Sequence, residues 1–437
     1  MKIGDFIQNK LMKHVVRFTN SKPIQAISRG MVRLTPLTIV GSIFLIIWNF
    51  PIPAVKEWLI STGYRDYFLK ANAATVGILA LVSVAAIAYE YAKLEEIEPL
   101  GAGFAALASF FLICPNTMLS GETVVSNAFN LTWAGSQGMI GAILVGLFTG
   151  WFYCFLIKHN VKFKMPKEIP ANIADSFSAM IPTALCVVVA TIVFTVFDKL
   201  STTAMDWVYH VLQLPLQGVS NSLAAVVVCA LVISFFWWFG IHGGTIAIAL
   251  FGAIEQANLV HNAELLAAGI ELNAQNGAFI FTKTFEFNFI ILSGAGVSFG
   301  ILFYMLFFAK SKTYKTLGKM SAVPVMFNVN EPILFGTPVI YNPVLLIPFV
   351  LIPVICAALS YLAIQVGIVP YPNGAMAPSL TPPILAGFFN GGWRWAVMQT
   401  VCLVISAAGY FPFMKKADRL QCEKEEQMAA EEGTEAI

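Results

Sequence analysis

The sequence predicts an all-α integral membrane protein of about ten transmembrane helices, with two re-entrant hairpins in its C-terminal half and both termini in the cytoplasm. Three observations lead there. Of 437 residues, 58% are hydrophobic and only 11% are charged, about half the charged share of an ordinary soluble domain. A mean hydropathy of +0.75 leaves too little polar surface to wet a soluble exterior. The basic residues, finally, fall predominantly in alternate gaps between the apolar runs. The same figures exclude a disordered chain, a collagen and a disulfide scaffold. A net charge of +2 gives no reason to expect a nucleic-acid partner.

A helix needs about 20 apolar residues to cross about 30 Å of hydrocarbon. On that rule ten spans centre on residues 31–50, 73–92, 101–119, 137–157, 177–197, 222–241, 245–260, 289–309, 343–366 and 393–413. With the N-terminus inside, 20 of the 26 Lys and Arg residues lie on the cytoplasmic side, in the arm before 34, at Lys93, in 158–167, in 310–319 and in the tail. The span at 245–260 holds Glu255 and is the weakest, but removing it would put the basic segment 310–319 outside. No cleavable leader precedes the first long apolar run near Met31. The arm alternates apolar and basic residues over 3–18, a pattern for an amphipathic helix on the inner leaflet or a docking surface for a cytosolic partner. The seven cysteines form no C-x-x-C pair, and six sit in apolar runs as small packing residues.

The chain divides into an arm (1–30), five ordinary spans (31–200), an irregular region (201–414) and a charged tail (415–437) that reads as solvated and disordered. Glycine, proline and polar residues interrupt the irregular region at 237–245, 276–289, 327–343 and 369–392. Non-helical backbone at membrane depth is tolerated only when buried in protein or lining a wet cavity. The substrate pathway is therefore expected in the second half, and a scaffold or oligomer interface in the first. Pro332-Ile-Leu-Phe-Gly336 recurs loosely as Pro383-Ile-Leu-Ala-Gly387, which suggests the two re-entrant hairpins.

The strongest local signal is FNVNEPILFGTP, residues 327–338. Pro332 blocks helical hydrogen bonding and disfavours helical geometry at Glu331, so a carboxylate is held on broken backbone between apolar flanks. Placing it there costs about 3 kcal/mol, which marks a group with a task; the rival reading is a cytoplasmic loop in which Glu331 is merely solvated. Asn328 and Asn330 add amide donors and acceptors. The second signal is WWFGIHGG, residues 237–244. Trp237 and Trp238 can stack on apolar faces of a sugar and His242 can donate or accept a hydrogen bond, with Gly243 beside it. An interfacial aromatic belt with a wetted histidine is the plainer alternative. In 276–289, Lys283 and Glu286 stand three apart, as a salt bridge or a substrate contact. Glu90 and Glu255 read as lone acids wetted near helix ends. No Walker loop, dinucleotide fingerprint, metal-ligand cluster or catalytic triad is present, so no cofactor or metal is expected. Amides, aromatics, one His and one Glu suit a neutral polyhydroxylated ligand.

At FNVNEPILFG together with WWFGIHGG, the chain resembles the membrane-embedded sugar permease (IIC) subunits of the bacterial phosphoenolpyruvate-dependent phosphotransferase system, in the lactose/cellobiose/diacetylchitobiose branch. The resemblance implies a homodimer in the bacterial inner membrane built on the N-terminal spans, and a C-terminal half that binds a disaccharide and carries it across by rigid-body movement. It also implies a cytosolic IIB partner, supplied indirectly by IIA, whose phosphocysteine passes its phosphoryl group to the sugar 6-hydroxyl. Matched motif to motif, Glu331 and His242 fall where the family holds that hydroxyl. Cys422 lacks the surrounding IIB domain and is not cast as the phosphoacceptor. A carboxylate there could anchor the hydroxyl and act as its general base, with Asn330, Asn328, Trp237, Trp238, Gly243 and Glu286 as further substrate contacts. The rival readings are a secondary transporter driven by an ion gradient and, further off, a channel or scaffold.

Overall fold

The computed structural model describes residues 17–435 apart from 49, 51, 121, 122, 127, 164–169 and 338. Almost all of the amphipathic arm expected over 3–18 lies outside these. Among the described residues seven helices are long and apolar enough to cross a membrane, and an eighth is counted if Ala204–Ser220 and Leu223–Trp238 are one bent span. The two remaining expected spans are shorter. Helix Leu100–Ile113 stops where Cys114 turns to extended backbone ahead of Pro115, which disfavours helix at the residue before it. In 289–309 the π-helical turn Glu286–Ile290 ends and helix resumes only over Phe299–Phe307, with Ser293, Gly294, Gly296 and Val297 between them all at positive φ. Among the described residues the one sheet is an antiparallel pair, Thr117–Ser120 with Thr123–Ser126, in register Thr117 to Ser126.

The chain forms two compact units. The first takes residues up to Phe44, Tyr67–Val219 and Ile248–His261, and the second takes Leu45–Asp66, Ser220–Ala247 and Asn262 onward. Helices Lys22–Arg33, Leu79–Leu94, Leu100–Ile113 and Met139–Lys158 build the first unit around small residues such as Ala80, Ala88, Ala102 and Ala106, all fully buried. Small side chains let helices approach closely where lipid offers no hydrophobic drive: a Cβ at Gly146 would lie 2.8 Å from the Val84 carbonyl oxygen. Glu90 is not wetted as expected but buried and paired with Arg33, because a carboxylate removed from water needs a partner. Glu255 is likewise fully buried.

The second unit carries helices Leu223–Trp238, Lys312–Met326, Pro343–Gln365 and Trp393–Glu435. Its core is an aromatic row: Phe285 to Phe289 at 5.2 Å and Phe289 to Trp395 at 4.9 Å between ring centroids. The charged tail, expected to be disordered, continues the last helix to Glu435. Two of its acids hold it in place. Asp418 accepts from the backbone N–H groups of Lys310 (2.8 Å) and Ser311 (3.0 Å), and Glu425 from those of Lys312 and Thr313 (3.0 Å each). These donors at the start of Lys312–Met326 have no helical acceptor of their own, so the acids of the last helix cap an earlier one. The two PILxG segments differ in backbone: Glu331–Gly336 is a short helix, whereas Ile384 sits at φ 73° before helix Leu385–Gly391.

At one edge of the first unit Glu95 pairs with both Lys158 and Lys22, the latter at 2.7 Å. Burial alone would raise the Glu95 carboxyl, but hydrogen bonds and charge from Lys158 and Lys22 outweigh it and hold the group below the ordinary value of 4.5. The contribution is thus complete above 4.5 and is lost as pH falls through the lowered value. Replacing Glu95→Gln is expected to cost about 0.5–1 kcal/mol at neutral pH, the lysines being half exposed. Thermal unfolding in detergent should show a deficit at pH 7 that closes as the wild type is acidified.

Candidate functional site

All eight residues expected from the sequence to form the site belong to the second unit. Helix Leu223–Trp238 ends at Phe239, and Gly240 reverses the chain at φ 76°. The next helix starts at Gly243, where a Cβ would lie 2.0 Å from the Ile233 carbonyl oxygen; packing fixes this glycine without any call on a ligand. His242, exposed, accepts the Thr245 backbone N–H on Nδ1 at 3.2 Å. With Nδ1 so engaged, Nε2 is the ring nitrogen left to meet a ligand. The Trp237 ring is buried with its centroid 4.6 Å from the imidazole. Trp238 has its indole N–H committed to the Asn342 carbonyl (3.0 Å), and its own carbonyl accepts from Tyr341 N–H (3.0 Å). The end of the tryptophan motif is thereby bonded to the chain just beyond the glutamate motif.

In that second motif Pro332 starts a helix instead of breaking one. Glu331 and Pro332 open Glu331–Gly336, the position where a missing N–H costs nothing. Glu331 is exposed, and no hydrogen bond to its carboxylate occurs among the described residues. The two asparagines before it are fully occupied as donors. Asn330, buried, gives its amide hydrogens to Ala295 O (2.7 Å) and Ser298 Oγ (2.8 Å). Asn328, at φ 63°, gives its hydrogens to Ser379 O (3.0 Å) and Thr381 O (2.9 Å) and accepts from Ser293 N–H (2.9 Å). These side chains hold three irregular segments together and aim the turn that carries Glu331. Glu286 is buried and ion-paired with Lys283, the salt bridge that was one of its two expected roles. No hydrogen bond joins Glu331 to His242 among the described residues.

Sequence reasoning missed the rest of this amide framework. Gln399 accepts from Ile384 N–H (2.7 Å) and Gly387 N–H (3.0 Å) and donates to Asn288 Oδ1 (2.9 Å). Asn390 accepts from Ala377 N–H (2.8 Å). Asn221 accepts from the N–H groups of Ile280 and Phe281 at 2.8 and 3.1 Å. Asn288, Asn328, Asn390 and Gln399 surround a pocket of about 20 Å³, the size of one water. The available signal was Gln399, an amide inside an expected span, where a polar side chain needs a reason.

A family model described as "Phosphotransferase system, EIIC" matches residues 28–353. This chain belongs to the phosphotransferase-system EIIC family. The EIIC chain is 31% identical over 424 residues to the PTS system oligo-beta-mannoside-specific EIIC component of Bacillus subtilis (strain 168), covering 95% of this chain and 94% of that protein. It is 30% identical over 432 residues to the PTS system cellobiose-specific EIIC component of Geobacillus stearothermophilus, covering 96% and 95%. Among solved structures, the crystal structure of the transporter ChbC, the IIC component from the N,N'-diacetylchitobiose-specific phosphotransferase system, matches with a TM-score of 0.91 at 30% identity, over 96% of this chain and 99% of that one. The EIIC chain is thus a multi-pass permease component of the bacterial cell membrane.

The amide framework makes a direct prediction. Asn328→Gly keeps the backbone conformation but deletes three hydrogen bonds, and is expected to destabilise the protein by about 2–3 kcal/mol. Thermal unfolding of purified EIIC in detergent checks it, with Asn328→Ala expected to lose more because alanine also resists φ 63°.

Proposed function

We propose that this EIIC chain binds a disaccharide of the diacetylchitobiose or cellobiose class, carries it inward and presents its 6-hydroxyl to a phosphorylated cytosolic IIB protein that is itself recharged through IIA. The observation that carries this reading is the match to the diacetylchitobiose-specific ChbC along nearly the whole chain, joined by the cellobiose-specific relative. Membership in the family leaves the ion-gradient reading without support. In this proposal the first unit anchors a homodimer and the second moves as the carrier. The chain crosses ten times, counting the short helices Leu100–Ile113 and Phe299–Phe307, keeps both termini in the cytoplasm and uses the segments around Glu331–Gly336 and Leu385–Gly391 as re-entrant hairpins.

Glu331 and His242 are the reacting pair. The carboxylate accepts the 6-hydroxyl's hydrogen, and the imidazole Nε2–H donates to the sugar oxygen. As the O–P bond forms and the S–P bond breaks, the hydroxyl proton passes to Glu331 and the thiolate leaves on IIB. Trp237 offers an aromatic face to a pyranose, with Trp238, Gly243, Asn328, Asn330 and Glu286 shaping the surroundings. Their hydrogen bonds to the protein support a positioning role for Asn328, Asn330 and Trp238 over direct contact.

A hydrogen bond to a charged group contributes about 1.5–3 kcal/mol, so Glu331→Gln is expected to weaken disaccharide binding by about 10- to 100-fold and to abolish phosphorylation in a folded protein. Binding of radiolabelled cellobiose and diacetylchitobiose to purified variants decides it; undiminished binding and transfer would remove Glu331 from the site. His242→Ala should lose uptake into vesicles supplied with cytosolic fraction and phosphoenolpyruvate. Phosphorylated sugar should form only when both are present, whereas accumulation of unmodified sugar that collapses with an ionophore would overturn the reading.

A further inference from the structure

The second unit holds another cavity, of about 500 Å³, that contains none of the residues above. Three aromatic side chains, Phe50, Tyr371 and Phe389, line it together with Lys56, Glu271 and Asn373. That set pairs flat apolar faces with charged and amide hydrogen-bonding groups, the combination that recognises a pyranose: carbon-bound hydrogens against rings, hydroxyls against polar groups. The volume lies in the range of about 300–1,000 Å³ that takes a small ligand.

The wall bearing Tyr371 is built, not loose. The carbonyl of Pro370 accepts the Trp395 indole N–H at 2.8 Å, and that of Pro372 accepts an amide hydrogen of Asn262 at 2.9 Å. Asn373 Oδ1 accepts from Ala375 N–H at 3.0 Å. Gly374, at φ 79°, lies where a Cβ would come within 2.5 Å of the Ala263 nitrogen. Chain on both sides of Tyr371 is therefore pinned to two helices, so an aromatic ring on an irregular segment is held as if on a regular element. Such pre-organisation lowers the ordering cost of binding.

Its place along the chain assigns it a face. Gly392, on the cavity wall, precedes helix Trp393–Glu435, and the basic segment 310–319 is capped by Asp418 and Glu425 far along that same helix. The roughly 25 residues from Gly392 to Ala417 span about 37 Å, more than the hydrocarbon thickness of about 30 Å. The lysine-rich end is cytoplasmic by the positive-inside rule, so the cavity opens on the outer face. We propose that this cavity is a first-contact site for the external disaccharide, distinct from the Glu331–His242 site. It rests on the carrier reading above.

The native cysteines leave this face clear: six are buried, and Cys422 belongs to the tail. A Leu272→Cys protein, whose substituted position lines the cavity, should react with a membrane-impermeant maleimide added to right-side-out vesicles. External cellobiose or diacetylchitobiose at millimolar concentration should slow that labelling at least threefold, equally in a Glu331→Gln background, and the protection should vanish with Tyr371→Ala. Independently of the cysteine variant, Tyr371→Ala alone should raise the external sugar concentration for half-maximal phosphorylation at least threefold while keeping the maximal rate. Protection that requires Glu331, labelling only from the cytoplasmic side, or an unchanged half-maximal concentration would each overturn the proposal while phosphorylation by the wild type upholds the carrier reading. Vesicles that phosphorylate no disaccharide would overturn the carrier reading itself.

Discussion

Backbone that leaves the helix inside an apolar protein must find hydrogen-bond partners, and in this EIIC chain side-chain amides supply them. An unpaired peptide group there costs several kcal/mol. Asn262 meets both polar groups of Phe279, accepting its N–H at 2.9 Å and donating to its carbonyl at 2.8 Å, much as a neighbouring strand would. Elsewhere in the second unit Asn221, Asn390 and Gln399 accept backbone N–H groups, Asn330 donates to the Ala295 carbonyl, and Asn328 both accepts a backbone N–H and donates to backbone carbonyls. Once the amides are so engaged, the irregular segments become a rigid frame. The Glu331 carboxylate carries no hydrogen bond among the described residues, and on the proposed reading it meets the ligand together with the Nε2 side of His242.

The first unit solves the same solvent problem differently. The four helices at its centre, Lys22–Arg33, Leu79–Leu94, Leu100–Ile113 and Met139–Lys158, are uninterrupted α-helices, so most of their backbone is satisfied within each helix, and contact relies on alanine and glycine faces with carboxylates neutralised by bases, Glu90 by Arg33 and Glu95 by Lys22 and Lys158. Regular helices joined through small residues make a scaffold. Interrupted helices joined through amides make a surface on which polar groups can be displayed. The division of labour proposed for the two units follows from that contrast.

Much of this was legible in the sequence. Apolar length located the long helices, and clustered glycine and proline located the irregular segments, because both follow from the bilayer's thickness and dryness. Glu331 and His242 stood out because ionisable groups are rare in such surroundings. The amides were ambiguous: Asn328 and Asn330 carry the same donors and acceptors whether they face a sugar or a carbonyl, and only the fold shows Ser293, Ala295 and Ser379 within reach. Pro332 was misread for a related reason, since the same ring that breaks a helix interior is at home in its first turn. The tail's helix was hidden because the N–H groups that Asp418 and Glu425 cap lie more than 100 residues earlier. Glu90 looked wet because its partner, Arg33, is 57 positions away.

The central claim, that amide side chains replace helical bonding in the second unit, is tested most directly by residue-resolved hydrogen–deuterium exchange of the protein in lipid nanodiscs. The backbone N–H groups of Phe279, Ile280, Ser293, Ala377 and Ile384 should exchange as slowly as those in the middle of helix Pro343–Gln365. Exchange as fast as in the exposed turn at 274–277 would show those bonds are not maintained and would contradict the account.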